Sequence, residues 1–349
     1  MSARFSLDRL EHPIVQAPMG GGPSTPALAS AVSAAGGLGF LAAGYRTPEA
    51  VREDIREVRA QTERPFGVNL FVPSAAADVG ASVEWYAKGL QGEAERYGVA
   101  LGDPRHDDDG WREKLTLLAE ERVPVVSVTF GCPDAAVVEE LQRAGAAVWV
   151  TVTTVAEAVI AARVGADALI VQGVEAGGHR GSFDDLAPGD IGLLALLQLV
   201  SDAVDLPLVA AGGLVNGRAV AAVLAAGADA AALGTAFMLT PEAGTSAAHR
   251  AALASDSGTA LTRAFTGRAA RGLVNRFMRE HEADAPSAYP EVHHLTAPVR
   301  TAAREGGDPD GFHLWAGQAH ALARELPAAE LVERLAREAR EAIRRMPSP

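Results

Sequence analysis

Residues 174–181, VEAGGHRG, set one titratable ring, His179, among three glycines and an alanine. An imidazole titrates near neutral pH, so it can take a proton from an acidic carbon or hold an anion. A backbone without side chains can lie close to a flat ligand. The competing role for His179 is structural, bonded within its own loop. Arg180 beside it offers positive charge to an anionic substrate, or else stands on a solvated rim.

Two glycine-bearing strand ends suggest a second chemistry. Gly212 and Gly213 follow the apolar run LPLVAA, and Leu233-Gly234-Thr235 follows ADAAA. Bare N–H groups after two neighbouring strands form a phosphate-binding corner, unless the glycines only permit tight turns. Asn69 and Gln172 are amides able to donate and accept along the edge of a heteroaromatic ring. Met19 ends another apolar run. A flat, phosphate-bearing cofactor such as FMN fits these residues; a sugar-phosphate substrate fits the same corner. Tyr289, Trp315 and Phe130 are aromatic candidates for a pocket wall or for core. His281, Glu282, His293 and His294 cluster in sequence without the spacing of a metal motif, so solvated or subdomain faces are expected for them and no metal is assigned. Cys132 has no assigned basic partner and reads as a packed small hydrophobe.

These residues need strand ends to hold them. A helix–glycine–strand junction recurs at 33–44, 142–152, 162–173 and 224–235, and further apolar runs lie at 13–19, 66–72, 123–131 and 206–213. Runs without alternation mark strands buried on both faces of a parallel sheet. Eight such strands separated by helices predict an α/β TIM (β/α)8 barrel, with chemistry at the C-terminal strand ends. A doubly wound sheet is the rival, but PMGGGPS runs into Pro23 and Pro26 and does not match its dinucleotide fingerprint. The barrel is expected from 1–239 and 313–349, with a polar insertion at 73–110 and a small helical lid subdomain at 240–312, after the eighth strand. The closing helix should bury Leu331, Val332, Leu335, Ala339, Ala342 and Ile343.

The 349 residues are 48% hydrophobic and 21% charged, an ordinary globular composition, and the net charge of −13 argues against nucleic acid or an anionic membrane as partner. One cysteine excludes a disulfide framework. The apolar stretch 219–239 is split by Gly227 and Asp229 and reads as a helix and a strand rather than a membrane span. MSARFSLDRLEHP has no hydrophobic signal core, so a cytoplasmic protein is expected. Oligomeric state is not legible.

The motifs PIVQAPMGGG, GVNLF, VVSVTFGCP, QGVEAGGHRG, AAGGLVNGR, ALGTAFMLTPEA, YPEVHHLTAPVR and HLWAGQAHAL together resemble the nitronate monooxygenases (2-nitropropane dioxygenase-like, class I), over almost the whole chain. The resemblance implies an FMN-dependent flavoprotein oxidising alkyl nitronates of the propionate 3-nitronate type, or nitroalkanes, with dioxygen to a carbonyl compound and nitrite. It implies flavin contacts from Asn69, Gln172, Gly177, Gly213 and the 232–235 turn, and a catalytic His179. Some relatives carry histidine where this chain has Thr129. NAD(P)H-dependent quinone or enoyl-thioester reductases of the same superfamily are the alternative.

Overall fold

The computed structural model describes residues 4–75 and 78–345; residues 1–3, 76–77 and 346–349, which fall within the expected segments, lie outside the described residues. The barrel strands are β1 (Ile14–Gln16), β2 (Phe40–Ala42), β3 (Gly67–Phe71), β4 (Val125–Thr129), β5 (Ala147–Val152) and β6 (Ala168–Gln172). A two-residue strand β7 (Gly178–His179) lies outside the barrel, and β8 (Leu208–Ala211) and β9 (Ala230–Leu233) complete it. All eight barrel strands are parallel, in the order β2-β3-β4-β5-β6-β8-β9-β1. The ring closes where Val15 bridges Leu38, through hydrogen bonds of 2.9 Å from Gln16 N to Leu38 O and from Leu38 N to Ile14 O. This is the expected TIM barrel.

Local sequence accounts for the helices between the strands. Thr25, Thr47 and Asn216 cap helix N-termini through their side chains, Thr154 and Glu157 form a reciprocal capping box, and Pro26 and Pro48 begin helices where no N–H is needed. The helix Ala135–Ala144 stops on left-handed Gly145. The 219–239 stretch divides as expected into the helix Gly217–Ala225 and β9.

Alternation along the strands sorts two cores. Val126, Val128, Val148, Val150, Leu169 and Val171 face the helices. Val125, Trp149, Ile170 and Val209 face the barrel axis, where Phe40, Trp149 and Phe5 stack tilted at 5.8–6.2 Å and fill the N-terminal half. The same register brings polar Asn69, Ser127, Thr151 and Gln172 inward at the C-terminal end.

The segment after β9 is not helical throughout. Besides helices it contains a hairpin, β10 (Thr259–Thr262) and β11 (Ala270–Leu273), whose inner strand pairs antiparallel with β7 and bridges Trp315 at Gly272. The insertion after β3 belongs to the same body. Its helices Gly80–Gly89 and Gln91–Tyr97 bury Val83, Tyr86 and Leu90 against Phe265, Phe277, Val292, Leu295 and Val299. Glu93 grips Arg276 through two hydrogen bonds of 2.6 and 2.7 Å. Sequence reading separated these segments because such contacts span nearly two hundred residues.

The helix Ala328–Arg344 closes the barrel, burying Leu331, Val332, Leu335 and Ala339, while Ile343, expected on that face, is 45% exposed at the fraying end. It packs so closely on Gly217 that a Cβ there would lie 2.3 Å from Glu338 Cβ and 2.5 Å from the Leu335 carbonyl oxygen. Gly217→Ala should therefore destabilise the fold by about 1–3 kcal/mol, the usual cost of overpacking. The urea unfolding midpoint reads this directly, and an unchanged midpoint would show that the closing helix is free to shift.

Candidate active site

A cavity of about 430 Å³ occupies the C-terminal mouth of the barrel beneath the lid. It collects Met19, Asn69, Gln172, Gly177, His179, Gly212, Gly213, Gly234 and Thr235. Leu233, also expected there, is absent from the wall: strand alternation turns its side chain into the sheet–helix core.

The glycine corner lies at the C-terminal ends of β8 and β9. Gly213 has φ +68°, so a side chain would be strained there, and its Cβ would meet Glu175 at 3.1 Å. Gly234 is different, since a methyl would find only van der Waals contacts at 3.7 Å. Among the described residues, no acceptor meets the N–H groups of Gly213, Gly234 or Thr235. Thr245 Oγ1, buried in the same wall, also lacks a partner. Unpaired donors in a corner next to apolar walls suit a terminal phosphate.

On the floor, Asn69 donates both amide hydrogens, to Ser127 Oγ at 2.9 Å and Thr129 Oγ1 at 3.0 Å. Its Oδ1 is left as an acceptor. Gln172, which also lines the cavity, donates one of its two Nε2 hydrogens to His179 O at 3.1 Å, and its Oε1 accepts from Gly181 N at 2.9 Å. The amide read as a ring-edge group thus fastens the His179 loop to β6.

Each glycine of that loop has its own reason. A Cβ on Gly177 would lie 2.4 Å from Gly317 N, Gly178 needs φ +74°, and a Cβ on Gly181 would lie 2.6 Å from Thr151 Cγ2. Close packing against the 316–317 backbone and Thr151, not ligand approach alone, strips this loop. Arg180 is neither a rim residue nor a pocket cation. It is fully buried and donates to the carbonyls of Gly173 (2.6 Å), Gln172 (3.2 Å) and Pro188 (3.3 Å), which locks the loop to the end of β6.

His179 is half-buried and faces the cavity, with Phe130 and Trp315 both 5.5 Å away and Tyr289 at 6.0 Å. Phe130 and Trp315 line the cavity beside the imidazole, whereas Tyr289 packs edge-on against Phe130 and His179 without reaching the cavity wall. Phe130 takes the left-handed φ of +78°, costly for a bulky residue, and carries the Arg268 guanidinium on its ring at 4.0 Å. His179 Nε2 lies 2.9 Å from Thr266 Oγ1, which is 3.3 Å from the Arg268 carbonyl. Burial, reinforced by Arg268 and Arg300, depresses the imidazole to about 3, so the ring is neutral at physiological pH.

The lid supplies residues that sequence reading missed. His293, Ala297, Arg300 and Arg304 lie on one face of the helix Glu291–Glu305 at intervals of four, three and four, and all line the cavity, as does His313. The signal was that helical spacing, obscured by reading the histidines as a surface cluster. His294, by contrast, points to Asp107 at 2.7 Å, and His281 lies beside Glu93. Cys132 is a half-buried, packed thiol pushed up to about 11 by burial, which fits the small-hydrophobe reading.

A nitronate monooxygenase family profile matches residues 3–338. A nitronate monooxygenase of Pseudomonas aeruginosa is 45% identical, over 97% of this chain and 100% of that one. One of Paraburkholderia phytofirmans is 39% identical, over 99% and 96%. Among solved structures, a nitroalkane oxidase from Streptomyces ansochromogenes superposes with TM-score 0.94 at 54% identity, covering 97% and 99%. FabK from Thermotoga maritima superposes with TM-score 0.77 at 29%, covering 97% and 96%. No helix among the described residues is long and apolar enough to cross a membrane.

Four cavity histidines make stability depend on pH. Burial holds His179 near 3, His249 near 4, His293 near 2 and His313 well below 6.5. In the unfolded chain each returns to about 6.5. Between the folded and unfolded values the unfolded chain binds more protons, so this stability is complete above about pH 6.5 and is lost as pH falls below it. Each ring contributes up to about 1.4 kcal/mol per pH unit. Urea midpoints from pH 7.5 to 5 should report uptake of more than one proton on unfolding near pH 5.5. A flat profile would mean that the rings are charged in the folded protein.

Proposed function

The chain belongs to the nitronate monooxygenase family, and on that premise we propose that the barrel mouth holds FMN and that the enzyme oxidises alkyl nitronates with dioxygen to a carbonyl compound and nitrite. The observation that carries this reading is an imidazole facing a pocket that also holds a corner of unpaired backbone N–H groups, with Arg300 in the same wall. The free N–H groups of Gly213, Gly234 and Thr235 would take the phosphate, with Gly212 shaping the turn. Asn69 Oδ1 would accept from the ring edge, and Met19 and Gly177 would border it. FMN is preferred to a dinucleotide because the corner provides for one terminal phosphate and no dinucleotide fingerprint is present. When bound, a flavin supplies the redox chemistry, accepting electrons from the substrate and delivering them to dioxygen.

The chain's own residues handle charge and protons. Arg268 and Arg300 lie close enough to depress His179, and the same field stabilises an anionic nitronate. If the Thr266 hydroxyl donates to the Arg268 carbonyl, His179 Nε2–H donates to Thr266 Oγ1, and the lone pair falls on Nδ1. Nδ1 then takes the proton when a neutral nitroalkane is the substrate, the nitronate anion formed beside it offsetting the burial and the arginine field that hold the empty-site imidazole down, and accepts none when a nitronate arrives preformed. Phe130 and Trp315 exclude water around the reacting carbon. One cysteine and an acidic composition accord with a cytoplasmic enzyme.

The purified protein should be yellow with about one FMN per chain, and anaerobic addition of a nitronate should bleach it. Bleaching by NAD(P)H in place of nitronate would instead favour a reductase, a reading kept open by the shared fold with FabK. A protein that binds FAD, or refuses FMN, would sink the cofactor assignment. Gly213→Val should weaken FMN binding, read by equilibrium dialysis, whereas Gly234→Ala should do so far less.

His179→Asn tests the proton step. Turnover of neutral nitroalkanes should fall about 10²–10⁴-fold, the usual span of general base catalysis, with FMN retained and preformed nitronates much less affected. Equal losses on both substrates would assign His179 to anion binding instead.

A further inference from the structure

Among the described residues, four residues other than glycine take a left-handed φ, and three of them meet beside the cavity. Phe130 (+78°) and Tyr45 (+66°) both line it, with the Phe71 ring between them at centroid distances of 4.5 and 5.4 Å. Asp109 (+55°) holds Tyr45, its Oδ1 accepting the Tyr45 N–H at 3.0 Å. A bulky ring in this region is a costly outlier that persists only where the surrounding structure enforces it. Here the enforcement is a buried ion pair for which the reaction at His179 has no use. Lys114, whose side chain is 1% exposed, donates to Ala43 O at 2.9 Å and lies 2.8 Å from Asp109 Oδ2. Arg46 N closes the turn on Ala43 O at 3.3 Å. Glycine would take the same φ without steric cost, yet the position carries a tyrosine.

That tyrosine reaches from the barrel to the lid. Its ring stacks on His293 of the helix Glu291–Glu305, with centroids 4.1 Å apart and planes 6° from parallel, and its hydroxyl accepts from that of Tyr289 at 3.2 Å. His293 in turn holds Arg300, whose Nη2 donates to His293 O at 2.7 Å and lies 3.2 Å from its Nδ1. The helix is also tied to residues 102–109, where His294 meets Asp107 at 2.7 Å and Leu295 O accepts from Gly102 N at 2.8 Å, but those contacts lie outside the cavity. We propose that Tyr45 is a positioning residue: its strained ring docks the lid helix on the barrel mouth and, through His293, sets where Arg300 faces the substrate. The inference rests on the nitronate reading of the His179 site.

Tyr45→Gly removes the ring and accepts the left-handed φ, so the turn survives while the docking is lost. In the enzyme as purified, amide hydrogen exchange over 291–305 should quicken about 10-fold or more, with the barrel helix Ala135–Ala144 unchanged. Tyr45→Phe keeps the stack and should exchange like wild type. On an alkyl nitronate, Tyr45→Gly should lower kcat/KM about 10- to 100-fold, as misplacement of a binding group does. The loss should fall mainly on KM, because Arg300 meets the anion in the ground state as well, and Tyr45→Phe should restore most of it. Unchanged exchange over 291–305 in Tyr45→Gly would overturn the docking, and so would faster exchange in both helices, which marks general packing. Unchanged kcat/KM, a fall in kcat at constant KM, or equal losses in Tyr45→Phe and Tyr45→Gly would overturn the link from the ring to Arg300. If wild type oxidises no nitronate but the exchange pattern appears, the docking stands and the nitronate reading falls. Should Tyr45→Gly fail to fold, Tyr45→Asn, which also tolerates the left-handed region, carries the same comparisons.

Discussion

The site depends on a very short piece of sheet. Gly178 and His179 pair with Arg271 and Ala270, so the loop that leaves the barrel at β6 becomes a strand of the lid. The pairing orients the imidazole, while Arg180, one residue on, anchors the loop to the barrel through three carbonyls. The ring is thus fixed from both bodies. Neither could position it alone, because a loop of glycines has no side-chain packing to hold it against conformational entropy.

Inside this frame, one periodicity produces both rigidity and chemistry. Alternate residues of the strands line the axis, and they change from Trp149 and Val125 below to Asn69, Thr151 and Gln172 above. The apolar half gives the polar half a dry, stiff support. The hydroxyls of Ser127 and Thr129 absorb both Asn69 donors, which fixes the direction in which its oxygen points. A buried amide with only its acceptor free is a directional element, not merely a polar one.

The barrel was legible in the sequence because its signals are local. Apolar runs, caps and glycine junctions each lie within a dozen residues, and they also delivered His179 and the glycine corner. The lid face was not, since His293, Arg300, Arg304 and His313 meet the barrel only through tertiary folding. Arg180 shows the opposite failure. Residue type marked it as a ligand contact, but a guanidinium surrounded by carbonyls is spent on the backbone. Sequence names the functional group and not the partner it has already found. The hairpin β10–β11 escaped because its strands draw their order from β7 and from Trp315.

The contrast between the net charge of −13 and the arginines lining the cavity sets how an anion reaches it. Far from the molecule, such a ligand meets net repulsion; within the mouth it meets attraction. Salt acts unequally on the two. Exposed charges are screened over about 8–10 Å at physiological ionic strength, whereas the buried guanidiniums are screened far less. Moderate salt should thus speed the approach of an anionic substrate while barely loosening its hold, so kcat/KM should rise with ionic strength before it falls. That is the reverse of steering by an attractive surface, and it makes the acidic exterior a kinetic filter around a cationic interior.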